Sequence, residues 1–146
     1  MNVKSVAIGC DHAGFPLKEP VIRLLKNKGI LVHDWGTFAN DSVDYPDFVH
    51  PVANMVEAGQ VDLGIVICGS GNGVAITANK HQGIRAALCW SVELAALARQ
   101  HNDANVLALP ARFVEPDLAL KMVETFISTD FEGGRHTQRV AKIACS

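Results

Sequence analysis

The sequence predicts an α/β fold, a three-layer α/β/α sandwich on a five-stranded parallel sheet, and three observations carry that expectation. Short apolar runs rich in Val, Ile and Leu alternate with longer amphipathic segments along the whole chain, the pattern of repeated βαβ units. Gly or Pro punctuates most of the junctions. The 146 residues, 49% hydrophobic and 19% charged, suit a single domain over residues 1–146 and are unlike a disordered chain.

The first apolar run, Ser5 to Gly9, breaks at Cys10-Asp11-His12-Ala13-Gly14 before a helix with Pro16 in its first turn. Leu17, Val21, Leu24 and Leu25 share one face of that helix, and Lys28-Gly29 stops it. The second strand, Ile30 to Asp34, leads into the longest irregular connection, ending at Tyr45-Pro46, and a helix from about Asp47 to Ala58. A loop of that length suggests function. The third strand, Leu63 to Cys68, is almost wholly apolar and therefore central, and it runs into Gly69-Ser70-Gly71-Asn72-Gly73 and a short helix ending near Lys80. A fourth strand from Ile84 to Cys89 precedes a helix over Ser91 to His101. A fifth, Asn105 to Leu109, precedes a helix with Leu118, Met122 and Phe126 inward. A basic helical tail at 133–146 closes the chain.

The formal net charge of -2 gives no general attraction for nucleic acid or for an anionic membrane, so any anion site must be local. No stretch approaches the roughly 18 apolar residues of a membrane span, and the amino terminus lacks a secretory core, which leads to an expectation of a cytoplasmic protein. Cys10, Cys68, Cys89 and Cys145 are widely and irregularly spaced. That pattern fits a reducing compartment and lacks the paired ligands of a zinc site, so no metal is expected.

Ligands of open parallel sheets bind beyond the carboxyl ends of the strands. This rule selects Cys10 to Gly14, Cys68 to Gly73 and the segments after strands four and five. The run from Cys68 to Gly73 places a thiol at a strand terminus beside glycines whose N–H groups converge, a nest that stabilises negative charge on sulfur or on a substrate oxygen. A plain strand-to-helix turn with an inert buried cysteine would read the same. The spacing is neither that of a Walker A loop nor a good GxGxxG fingerprint. Asp11 and His12 suit sugar hydroxyls or phosphate, or else a turn and a surface imidazole. His101, with Asn102 beside it, sits near a helix C-terminus, where a simple end cap explains it equally well. Arg135 and Arg139, four apart on one helix face with His136 adjacent, match a phosphate or a solvated basic face, and Arg112 adds a third cation or decorates a loop. His33, His50 and His81 read as structural.

Taken together, GCDHAGF at 9–15, DYPD at 44–47, ICGSGNG at 67–73, ANK at 78–80, GIRAAL at 83–88, RQHNDANVLAL at 99–109 and EGGRHTQRV at 132–140 closely resemble the ribose-5-phosphate isomerase B family over nearly the whole chain. The resemblance implies a Rossmann-like five-stranded parallel sheet and a homodimer, sometimes a tetramer, with the site built between subunits. It also implies no metal or organic cofactor. The implied activity is interconversion of ribose 5-phosphate and ribulose 5-phosphate through an enediolate, in the non-oxidative pentose phosphate pathway. By position, Cys68 resembles the family's proton acceptor and His101 its ring-opening acid, with Ser70 assisting. Asp11, His12, Tyr45, the Gly69, Ser70, Gly71, Asn72 and Gly73 loop, Asn102, Arg112, Arg135 and Arg139 fall on ligand-binding positions. Some members instead carry a glutamate base after the glycine loop. Here Val74 holds that place, so the base follows the cysteine branch. Isomerases of allose, galactose or tetrulose phosphates share the scaffold, and a non-catalytic sugar-phosphate-binding module is the alternative of a different class.

Overall fold

The five apolar runs form five strands, all parallel, in a computed structural model that describes residues 1–145. In chain order the elements are β1 (Ser5–Cys10), α1 (Phe15–Asn27), β2 (Leu31–Asp34), α2 (Pro46–Glu57), β3 (Leu63–Cys68), α3 (Asn72–Ala78), β4 (Ala86–Leu88), α4 (Val92–Asn102), β5 (Val106–Pro110), α5 (Pro116–Ser128) and α6 (Arg135–Ala141). The sheet order is β2-β1-β3-β5-β4. Direction of travel across the sheet reverses between β1 and β3, and a crevice opens beyond the carboxyl ends of such a pair.

Strand alternation decides which way the chemistry faces. Along β3, Leu63, Ile65 and Ile67 join the apolar layer under α1, α4 and α5, whereas Val66 and Cys68 join the layer under α2 and α3. Every residue of β3 is buried, as expected of a central strand. The α1 stripe behaves as its spacing predicts, with Leu17, Val21 and Leu25 buried and Leu24 partly so. Gly29, at φ 77°, ends that helix, and Ile30 is used to close it, its N–H bonding the Leu25 carbonyl.

Two elements are shorter than the sequence suggests. The fourth strand keeps only three residues because side chains replace its ladder: Asn79 brackets Ala86 through both N–H and C=O, and Asn105 brackets Gly83 and Arg85. The tail is helical only from Arg135 to Ala141, not across 133–146. Gly133 and Gly134, at φ 69° and 56°, turn the chain before it. Beyond it the Cys145 N–H bonds the Gln82 side chain and leads the backbone away, while Ser146 lies outside the described residues.

Candidate active site

The loop after β3 holds the Cys68 sulfur through one backbone donor. The Cys68 Sγ accepts the Gly71 N–H at 3.2 Å, and the Ser70 hydroxyl accepts the Asn72 N–H at 3.3 Å. Gly71 has φ 77°, and a side chain there would also strike Leu88 Cδ1 at 2.4 Å, so only glycine makes the turn. Gly73 has a different reason: a Cβ would stand 2.5 Å from the ring of Tyr45, so α3 begins against that ring. Arg112 lies across the loop, its N–H bonding the Gly69 carbonyl at 3.0 Å, and a Cβ on Gly69 would stand 3.2 Å from its side chain. Val74 is fully buried, so the position is unavailable to solvent or substrate.

From β1 comes a second set of groups. Asp11 is buried and uses Oδ1 locally, accepting from the N–H groups of Ala13 and Gly14 at 2.9 and 3.0 Å, so the turn role foreseen for it is realised. The His12 Nδ1 accepts the Val43 N–H at 3.2 Å, which leaves Nε2 as the donor of the neutral ring. His12 and Arg112 line one cleft of about 430 Å³. Ser70, Asn72, Trp90 and Phe113 line a smaller one of about 270 Å³.

The remaining predicted residues are elsewhere. Cys68 pairs with Pro110, the last residue of β5, whereas His101 and Asn102 end α4 just before β5 begins. The five residues of β5 alone span about 16 Å. His101, Asn102 and Arg139 line a separate cavity of about 370 Å³ at this opposite edge of the sheet, with Arg135 on the same short helix. One chain therefore assembles Asp11, His12, Tyr45, Cys68 to Gly73 and Arg112 in one place, and His101, Asn102, Arg135 and Arg139 in another.

Three features escaped sequence reasoning. Lys18 is buried beneath the loop after β2, its ammonium bonding both carboxylate oxygens of Asp34 at 2.9 Å and the Thr37 carbonyl at 2.7 Å, with the Phe38 ring 4.2 Å away. His50 and His81, taken as structural, share a hydrogen bond of 2.7 Å between α2 and the segment after α3. His136 stacks on His101 with ring centroids 4.3 Å apart and planes 13° from parallel, and Glu132 Oε1 stands 3.8 Å from His101 Nε2 and 3.6 Å from His136 Nε2. Of these, only the four-residue spacing of Glu132 and His136 was visible in the chain.

Burial sets the remaining ionisations. It pushes the Cys10 thiol up to about 11, against a hydrogen bond from the Thr37 backbone and the nearby Lys18 charge, and pushes Cys89 up to about 11 as well. Burial also lowers His136 below the ordinary imidazole range, followed by the charges of His101 and Arg135.

Comparison with known proteins places this geometry. The family described as ribose/galactose isomerase matches residues 6–143. The chain is 47% identical to ribose-5-phosphate isomerase B of Escherichia coli over 141 residues, covering 97% of this chain and 95% of that protein. Among solved structures, ribose-5-phosphate isomerase B of Clostridium thermocellum superposes with a TM-score of 0.94 at 52% identity, covering 95% of this chain and 94% of that one. The Mycoplasma genitalium enzyme, solved with bound ribulose-5-phosphate, gives 0.92 at 47% identity over 95% and 93% of the two chains. Shared fold, full-length coverage and identity near one half together establish that this chain belongs to the ribose/galactose isomerase family.

Proposed function

We propose that the chain is an aldose–ketose isomerase that interconverts ribose 5-phosphate and ribulose 5-phosphate, with Cys68 as the base. The observation that carries this reading is the Cys68 sulfur at the end of β3, held by the Gly71 N–H within a loop bordered by Arg112 and Tyr45. Cys68 as thiolate takes the C2 proton of the open-chain aldose. The C–H electron pair becomes the C1=C2 bond, and the carbonyl oxygen becomes an enediolate oxygen facing the N–H groups of Gly69 to Gly73. Ser70 donates to the oxygen that changes charge. Return of the proton to C1, with transfer of the C2 hydroxyl proton to the C1 oxygen, gives the ketose and regenerates the thiolate. Asp11 and Tyr45 border the sugar, and His12 and Arg112 line the cleft that takes part of the ligand.

The catalytic unit in this reading is a homodimer. His101, as ring-opening acid, and Asn102, Arg135 and Arg139, as sugar and phosphate ligands, are too far from Cys68 to serve it within one chain, so a second copy supplies them. Trp90 and Phe113, exposed by 59% and 75% beside the Ser70 loop, give that second copy an apolar seat. Cys10, Cys68, Cys89 and Cys145 are all free thiols, which suits a cytoplasmic protein.

A turnover panel of ribose, allose, galactose and erythrose phosphates, run with and without chelator, tests the substrate. Ribose 5-phosphate turned over fastest, and equally with chelator, is the expected result. Preference for a hexose or tetrose phosphate would reassign the substrate, and no turnover of any would leave a binding module.

A further inference from the structure

The stacked imidazoles at the amino end of the sheet share a carboxylate at their Nε2 atoms, and that combination is a ligand set. We propose that His101, Glu132 and His136 bind a zinc-type divalent cation, and that occupation of this site stops turnover by withdrawing His101 from the substrate. The second half rests on the role given to His101 above, while the first stands on geometry alone.

One nitrogen from each ring and one oxygen of Glu132 lie within 4.8 Å of one another. A tetrahedral zinc with bonds of about 2.0–2.1 Å keeps its ligand atoms about 3.3 Å apart. The two nitrogen–oxygen separations here, 3.8 and 3.6 Å, need only a few tenths of an ångström of closure. The rings stand 13° from parallel, so their lone pairs must converge by a tilt of each imidazole, most of it from His101, whose side chain is 37% exposed where that of His136 is 10%. Glu132 is held to the same turn, its N–H bonding the Gln100 carbonyl at 3.0 Å, so the carboxylate arrives with its position set by α4. Two imidazoles and one carboxylate favour zinc and similar transition ions over magnesium or calcium, which take oxygen ligands. Three protein ligands leave a fourth position, and it opens on the cavity of about 370 Å³ that Arg139 also lines. The guanidinium groups of Arg135 and Arg139 oppose a cation there, so binding is moderate and reversible. The same cavity is the one assigned to sugar phosphate, and the two ligands exclude each other.

Zinc alone is the probe, titrated into the full-length protein in competition with a chromophoric chelator, in parallel with turnover of the sugar phosphate. The expected result is one zinc per chain, unchanged in Cys68→Ala. Affinity falls at least about 100-fold in Glu132→Gln and in His136→Asn, beyond the ~10–100-fold that loss of an outer-shell partner costs. Inhibition of the unaltered protein is competitive with sugar phosphate and reversed by chelator. Equal zinc affinity in a folded Glu132→Gln protein, or loss of the zinc in Cys68→Ala, overturns the site. Zinc bound with the expected ligand dependence but without inhibition overturns the blockade and leaves the isomerase reading, tested by the turnover panel, untouched.

Discussion

Lys18 and Asp34 form a half-buried bidentate pair that ties α1 to the loop after β2, the ammonium centred on two carboxylate oxygens at 2.9 Å each. The Lys18 side chain is only 4% exposed, and its third proton goes to the Thr37 carbonyl. The loop so fastened continues to Val43, whose N–H orients His12, and to Tyr45, which abuts Gly73. Lys18→Met strips the buried Thr37 carbonyl of its donor, at a cost of about 1–3 kcal/mol, while Asp34, 30% exposed, is left to water. The substitution should therefore lower unfolding free energy in urea by about 1–2 kcal/mol and raise KM for the sugar phosphate more than it lowers kcat. A stability change below about 0.5 kcal/mol, the range of ordinary surface substitutions, would show that the pair fastens nothing.

The four thiols divide by environment. Cys10 and Cys89, pushed up to about 11 by burial, stay protonated at pH 8 and should resist iodoacetamide in the native protein. Cys145 is exposed and should react whether or not ligand is present. Cys68 is 5% exposed but sits at the loop mouth, its sulfur accepting the Gly71 N–H; it should react more slowly than Cys145 and be the one thiol whose labelling sugar phosphate slows, read by peptide mass spectrometry. Labelling of Cys68 that ligand does not slow would place the sulfur outside the substrate site.

Alkaline pH should expose the same two buried thiols as a stability cost. Their folded values lie above the ordinary thiol value of ~8.5, so in the window from about 8.5 to 11 the unfolded chain releases protons that the folded chain retains. Stability is then fully present below that window and falls as pH rises through it, by roughly 1–3 kcal/mol per thiol at its upper end. Urea midpoints measured between pH 8 and 10.5 should decline, and Cys89→Ala should decline less steeply than the unaltered chain. Identical slopes would contradict the assignment.

Where sequence periodicity set the structure, the chain was legible. The apolar run Leu63 to Cys68 announced a central strand, whereas the face that Cys68 takes, under α2 and α3, came only with the structure. Glycine punctuation located the turn from β3 into α3. What the chain hid depends on packing between segments distant in sequence. Lys18 and Arg99 occupy helix positions that read as solvent-facing cations, yet both are 3% exposed. Arg99 anchors the end of α4 through Asp103 and the Thr129 carbonyl, 30 residues away. The His101, Glu132 and His136 cluster has the same origin, since two of its members reach the third only when α6 meets α4. The division of the candidate site into two groups was legible only through the family resemblance, because spacing does not say at which edge of a sheet a helix ends.

The central claim is that the Cys68 sulfur moves the C2 proton, and hydrogen exchange tests it most directly. Cys68→Ala should bind ribose 5-phosphate with nearly unaltered affinity while isomerisation, and deuterium incorporation at C1 of the ketose in heavy water, fall by about 10²–10⁴-fold. Turnover and incorporation within a few-fold of the unaltered chain would contradict the account.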